Sequence, residues 1–427
     1  MPKTLLHAWN TRINRRQFLK ISGAAIAYNL SLPYRLRAQT AIANPLFWIV
    51  NIPSQPFLDH KSPNRHAGVD ALLRTMGANG LRFYRRNSSS ELSGPLGLIA
   101  SNDVVLLKVN AQWKYRGCTN SDVVRGLIQA ILDHPDGFQG EVVIMENGQG
   151  RGSLNCDTLP NYADNSVQAN ANDPSHSFIY LVNKVFKDSR VSAYLLDSVA
   201  SNFIASNEHQ AAGYRFYENV SYPCFTTAGG HRVELREGIW QGDGYSSNLK
   251  LINIPVLKYH DVDGSQITAS LKHMYGVLSM ADGQAAFRHY SGLGETCGKM
   301  MVSVRTPVLN LVDAIWVSHR SLAGYPEDTT VRRNQLLASQ DPVAVDYWAA
   351  KYIMYPIDRN PNHHPDYPGI STWLESASQI INARGGLYQP DGGILVNQVT
   401  RIESEMQVSK RNAIGGISSV VNLLLEG

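Results

Sequence analysis

Two lysines and two histidines fall within fifteen residues of one another in the stretch LINIPVLKYHDVDGSQITASLKHMYGVL, Leu251 to Leu278. Lys258 and His260 flank Tyr259 at the end of an apolar run, and Lys272 and His273 follow on a short predicted helix that starts near Thr268. Ammonium groups clamp carboxylates or phosphates and stabilise developing negative charge. Imidazoles carry protons near neutral pH or ligate metals. The spacing of the two histidines is not a compact zinc pattern. The expectation is therefore an anion site in which His260, Lys258 and Lys272 do the chemistry, with His260 as general acid/base.

Further candidates sit elsewhere in the chain. Lys108 and Asn110 close an earlier apolar run, as Lys258 and His260 close the later one. With His273, Arg288 and His289 they complete the predicted ligand-binding set. A metal site would have to be assembled by folding, with Glu146, Asp261 or Asp263 as partners, and the sequence names no metal or cofactor. His363, His364 and Asp366 read as a polar loop. Asp313, at the end of a predicted strand, is a site candidate, whereas Asp341 before Pro342 reads as a helix cap. The sequence has no G-x-S-x-G elbow to support a serine hydrolase. Gly148, Gly150 and Gly152 lack the helix start that a dinucleotide fingerprint needs. The polar segment Glu146–His176 around them is expected to act as a lid or substrate loop.

These residues need a scaffold that gathers strand ends. Leu46–Ile52, Gly80–Tyr84, Asp103–Val109, Glu141–Met145, Arg190–Leu196, Leu249–Leu257 and Leu309–Ile315 read as strands. Ala67–Met76, a segment from Thr119 or Ser121 to Leu132, Asp341 to about Ile353, and Ser371–Ile381 read as helices. Residues 200–247 read as an insertion or the edge of a subdomain. Strand and helix alternate with no repeat period, which predicts an α/β fold: a mostly parallel sheet with flanking helices, in one large domain or two tightly associated subdomains over residues 44–427. In such sheets ligands bind beyond the carboxyl ends of the strands, where Lys108 and Lys258 lie.

Four segments in order carry a resemblance: LLKVNAQW with TNSDVVRGLIQAIL, IPVLKYH with TASLKHMYGVL, LNLVDAI, and LLASQDPVAVDYWAA. Together they span residues 103–350 and resemble the bacterial and archaeal family described as domain of unknown function 362. The resemblance implies an architecture and marks Lys108, Lys258 and Lys272, but it implies no established reaction. Relatives usually carry Asn where this chain has His273, and some carry ferredoxin-type cysteine clusters that this chain lacks.

Residues 1–38 read as a twin-arginine signal peptide, with Asn14-Arg15-Arg16-Gln17-Phe18-Leu19-Lys20 as its motif and cleavage near Ala38 or Ala43. The expected localisation is therefore periplasmic, with the twin-arginine translocation machinery as a partner and no transmembrane anchor after processing. The formal charge of the full chain is +4, but residues 1–38 hold seven basic and no acidic side chains. The remainder has 32 basic against 35 acidic residues, and no basic stripe suggests nucleic acid. Cys118, Cys156, Cys224 and Cys297 form no C-x-x-C pair and leave either free thiols or one or two disulfides open. Three functional readings follow: an enzyme acting on an anionic small molecule, a periplasmic binding protein for such a molecule, and a redox accessory protein, which the missing cysteine clusters disfavour.

Overall fold

The computed structural model describes residues 46–57, 62–157, 166–260, 264–283 and 286–383, together with the strand Val396–Arg401. The expected signal peptide, and Asp261 and Asp263, lie outside the described residues. No helix among the described residues is long and apolar enough to cross a membrane.

The strands, in chain order, are β1 (Leu46–Val50), β2 (Tyr84–Arg85), β3 (Ser93–Gly94), β4 (Val104–Val109), β5 (Glu141–Glu146), β6 (Val191–Leu195), β7 (Gly213–Tyr217), β8 (Val220–Thr226), β9 (Arg232–Glu234), β10 (Gly238–Trp240), β11 (Tyr245–Ser246), β12 (Leu249–Ile254), β13 (Val256–Tyr259), β14 (Ile267–Thr268), β15 (Leu309–Ser318), β16 (Thr330–Ser339) and β17 (Val396–Arg401). The main helices are α1 (Ala67–Ala78), α2 (Ser121–Leu132), α3 (Ser270–Tyr275), α4 (Leu293–Lys299), α5 (Pro342–Ala349) and α6 (Pro368–Ala383).

The main sheet runs β17-β1-β16-β15-β12-β4-β5-β6, with β13 beside the far half of β15 and β14 beside β13. Pairing is parallel from β15 through β12, β4 and β5 to β6, while β16 runs antiparallel to both β1 and β15. The fold is thus α/β, with a mostly parallel sheet. The crossover β4–α2–β5 is the unit that the apolar runs announce. Its cap is Asn120, whose side chain accepts from the N–H groups of Asp122 and Val123, rather than Thr119 or Ser121.

Alternation along each strand divides the apolar residues between two cores. Val105, Leu107, Ile252 and Ile254 face α1 and α2, while Val104, Leu106, Leu249 and Leu251 face α3 to α6 and the small sheet. Burial of these side chains on both faces explains why the central strands read as nearly continuous apolar runs. Residues 200–247 hold a separate antiparallel sheet, β11-β10-β9-β8-β7, whose Val220, Tyr222 and Phe225 pack into the second core.

Proline breaks the expected strand Leu249–Leu257 in two. Pro255 offers no N–H, so the ladder is interrupted between β12 and β13 and resumes against a later part of β15. Lys258 is thereby carried past the end of β12, opposite Ser318.

Candidate functional site

Period two places Lys108 of β4 and Asn253 of β12 on the same sheet face as Leu106 and Leu251. Register sets them side by side, with Asn310 of β15 next to Asn253 and Ser339 of β16 next to Asn310. A polar row thus crosses four strands under a buried helix, α3. Each member has a partner. Asn253 Nδ2 donates to Ser270 O at 2.9 Å and to Asn310 Oδ1 at 2.9 Å. Ser270 Oγ donates to Asn310 Oδ1 at 2.7 Å. The first N–H groups of α3, from Ser270 and Leu271, donate to the two carboxylate oxygens of Asp346 at 2.6 and 2.9 Å. Asp346 of α5 therefore caps α3 from across the core, and burial pushes its carboxyl up to about 8.

His273 joins this row to Lys108. Its Nδ1 lies 2.6 Å from Asn253 Oδ1 and its Nε2 lies 2.9 Å from Lys108 Nζ. A carbonyl oxygen requires a donor and an ammonium requires an acceptor, so the ring is neutral with its proton on Nδ1. Burial, and then the charge of Lys108, hold its pKa well below the ordinary value. Lys108 Nζ also donates to Glu146 Oε1 at 2.8 Å and to Val109 O at 3.0 Å, so all three of its donors are engaged. Glu146 accepts in addition from Asn147 N and Ala111 N. Burial lowers Lys108 and raises Glu146, with the partner's charge opposing in each case. Lys108 is only 1% exposed. This arrangement makes Lys108 an internal strut rather than a direct clamp on a ligand.

Lys258 is placed differently. It is 3% exposed, and its one hydrogen bond among the described residues goes to Gly117 O at 2.7 Å. A Cβ on Gly117 would come within 2.6 Å of Leu322 O, so glycine lets this turn seat close enough to present its carbonyl. Burial lowers the Lys258 ammonium to about 7, and the charges of Lys108 and Lys272 push the same way against Cys118 and Glu146. Lys272 is also buried and lies 4.0 Å from the Tyr275 ring centroid. The His260 and His289 rings are 5.2 Å apart. Burial, then the charges of Lys272, His289 and Lys258, hold His260 well below its ordinary pKa. Lys258, Lys272, His260 and His289 thus lie near one another around the end of β13, close enough for their charges to interact.

Three expected site residues are committed elsewhere. Arg288 is ion-paired to Asp282 at 2.6 Å and donates to Asn219 O, tying α3's following segment to the β7–β8 turn. Asn110 uses its side-chain oxygen to accept from Val256 N at 2.9 Å, bridging β4 and β13. Asp313 accepts from Asn120 N and Ile315 N, and burial raises its carboxyl to about 7. His363 and His319 both contact Asp358, and the His363 ring packs edge-on to Tyr259 with centroids 6.3 Å apart. Among the described residues no three His, Cys, Asp or Glu side chains gather as a metal-binding group.

Cys118 is the residue that sequence reading missed. It follows Gly117, and its thiol shares a hydrogen bond with that of Cys156. Burial opposes ionisation, but the Cys156 thiol, the Asn170 N–H at 3.3 Å and the nearby Lys258 and Arg116 charges bring its pKa below the ordinary value. All four cysteines are free and buried. The described parts of Glu146–His176 are tethered: Asp197 accepts from Gly148 N and Gly150 N, and Asn170 and Asn172 bond to Cys118 O and Asp122.

The fold and this group define an α/β protein with two buried lysines, Lys258 and Lys272, near the carboxyl edge of its sheet. Residues 245–351 match the family described as Domain of unknown function (DUF362), which supports the resemblance over that segment. The matched segment contains β12, β13, α3, β15 and β16, and with them Asn253, Lys258, Lys272, His273 and Asp346. No curated protein matches the chain. No solved structure matches it either.

Proposed function

We propose that this chain is an exported protein that binds an anionic small molecule, a carboxylate or a phosphate, at Lys258 and Lys272 beside His260 and His289. The observation that carries the reading is Lys258: a nearly inaccessible ammonium whose one described hydrogen bond is to a neutral carbonyl. A buried cation without a paired carboxylate is unfavourable, and an anionic ligand offsets that penalty. Lys108 supports the site from below through Glu146 and His273 and does not contact the ligand in this reading.

A second reading, catalysis at the same site, is favoured by the lowering of Lys258 to about 7. An amine neutral at working pH is a competent base or nucleophile. His260 would then move the proton: burial and then the neighbouring charges depress it, and a bound anion offsets the second of these. Native purification with mass spectrometry of co-purifying small molecules tests the first reading. Recovery of an acidic metabolite, lost in Lys258→Met, supports it, and recovery unchanged in that variant refutes it.

Export rests on the Asn14–Lys20 motif. N-terminal sequencing of the periplasmic fraction should find a chain that begins shortly after Ala38 or Ala43. Arg15→Lys combined with Arg16→Lys should abolish its appearance there. Periplasmic protein that still begins at Met1 contradicts the reading.

A further inference from the structure

The small sheet carries a cavity, distinct in chemistry from the lysine group. It has a volume of about 530 Å³ and opens between β7, the Ile204–His209 segment and Tyr245. Its floor is polar and buried: Arg215 Nη1 donates to Glu234, while Tyr222 OH, at 3.0 Å, and Tyr245 OH donate to the same carboxylate. His209 Nδ1 contacts Tyr245 OH at 2.8 Å and its ring stacks on Trp240 at 4.1 Å. Arg215 Nε is buried and has no hydrogen-bond partner among the described residues.

The rim is aromatic. Phe216 is 55% exposed and Tyr217 is 36% exposed. Phe203 stacks on Phe216 with ring centroids 5.2 Å apart. Charge offers an anionic occupant no unpaired cation, because Glu234 balances Arg215 and Glu237 is ion-paired with Arg236. A neutral ligand with many hydroxyls meets all three features. Its hydroxyls donate to carboxylate and phenol oxygens, and its C–H faces lie on exposed rings. The volume is in the range of pockets that enclose small ligands. We infer that this cavity binds a neutral saccharide of one or two pyranose rings through Arg215 and Glu234 at its floor and Phe216 and Tyr217 at its rim.

The test is calorimetric titration of the purified chain with cellobiose and with maltose, up to their solubility limits. At least one should bind saturably, and inorganic phosphate should not compete. Phe216→Ala and Tyr217→Ala alter exposed side chains and should leave the melting temperature unchanged while weakening binding about tenfold. Arg215→Lys should weaken it further, and if that variant unfolds, the two rim variants decide the matter. Three results overturn the inference: no saturable binding of either disaccharide, equal affinity in both rim variants, or a self-association of the wild type that the rim variants abolish, which would make the patch a contact between copies.

Discussion

Lys108 Nζ and His273 Nε2 lie 2.9 Å apart in the core, with His273 turned by Asn253 so that its unprotonated nitrogen meets the ammonium. The pair joins β4 to α3; Glu146 ties Lys108 to the end of β5, and Asp346 of α5 holds the first turn of α3. A buried ammonium held by a carboxylate, a carbonyl and an imidazole is tolerable only while all three acceptors remain.

Removing one member should therefore be more harmful than removing a matched pair. His273→Leu leaves an ammonium N–H unsatisfied and should destabilise the fold by about 2–4 kcal/mol. His273→Asn restores the residue expected of relatives and keeps a carbonyl acceptor, so it should be milder. Lys108→Met should cost about 3–5 kcal/mol alone, and adding Glu146→Gln should recover part of that loss. Urea titration of these four variants and of Glu146→Gln alone checks this, and strictly additive effects for Lys108→Met and Glu146→Gln would contradict the coupling.

Affinity for an anion should depend on pH through Lys258. Its ammonium falls to about 7 in the fold, against about 10.4 in an unfolded chain. Between these values the unfolded chain binds the extra proton, so the Lys258 contribution to stability rises with pH across that window. Below it the burial penalty is present in full. An anion binds the protonated form, so affinity for succinate, whose carboxylates stay ionised, should fall about tenfold per pH unit above neutrality. Calorimetry from pH 6 to 9 reads this directly; a flat profile would exclude Lys258 as the titrating partner.

The thiols make a third expectation. Of the pairings open to four cysteines, the structure brings the Cys118 and Cys156 thiols into hydrogen-bond contact. Under oxidising conditions these two should form the disulfide, giving a single cross-linked peptide pair by mass spectrometry. A Cys224–Cys297 link in folded protein would contradict this placement.

Much of the scaffold was legible in the sequence because its signals are local. The run Val104–Val109, its capped helix and its return at Glu141 read as a parallel unit, and the structure contains that unit. Asp341 followed by Pro342 read as a helix start, and Asp341 accepts from Val343 N and Ala344 N at 2.9 Å. β16 was missed because its first six residues are only half-buried and alternate weakly. The small sheet was read only as an insertion, since its strands are short and irregular. Site membership was harder to see. Lys108, Asn110 and Arg288 carry the right chemistry, but their partners are distant in sequence, and only the tertiary fold shows that Glu146, Val256 and Asp282 engage them. Cys118 had no motif, and its contact with Cys156 bridges a long polar loop.

The most direct test of the central claim compares wild type, Lys258→Met and Lys272→Met in calorimetric titrations with succinate and phosphate, with thermal melting alongside. Lys258→Met should leave the ligand-free protein at least as stable as wild type, because a buried, poorly compensated charge is replaced by an apolar side chain of similar length. The same variant should weaken anion binding by about 2–4 kcal/mol and lose the anion-induced rise in melting temperature. Wild-type affinity and an undiminished melting shift in both variants, or no anion binding by the wild type, would contradict an anion site at these lysines.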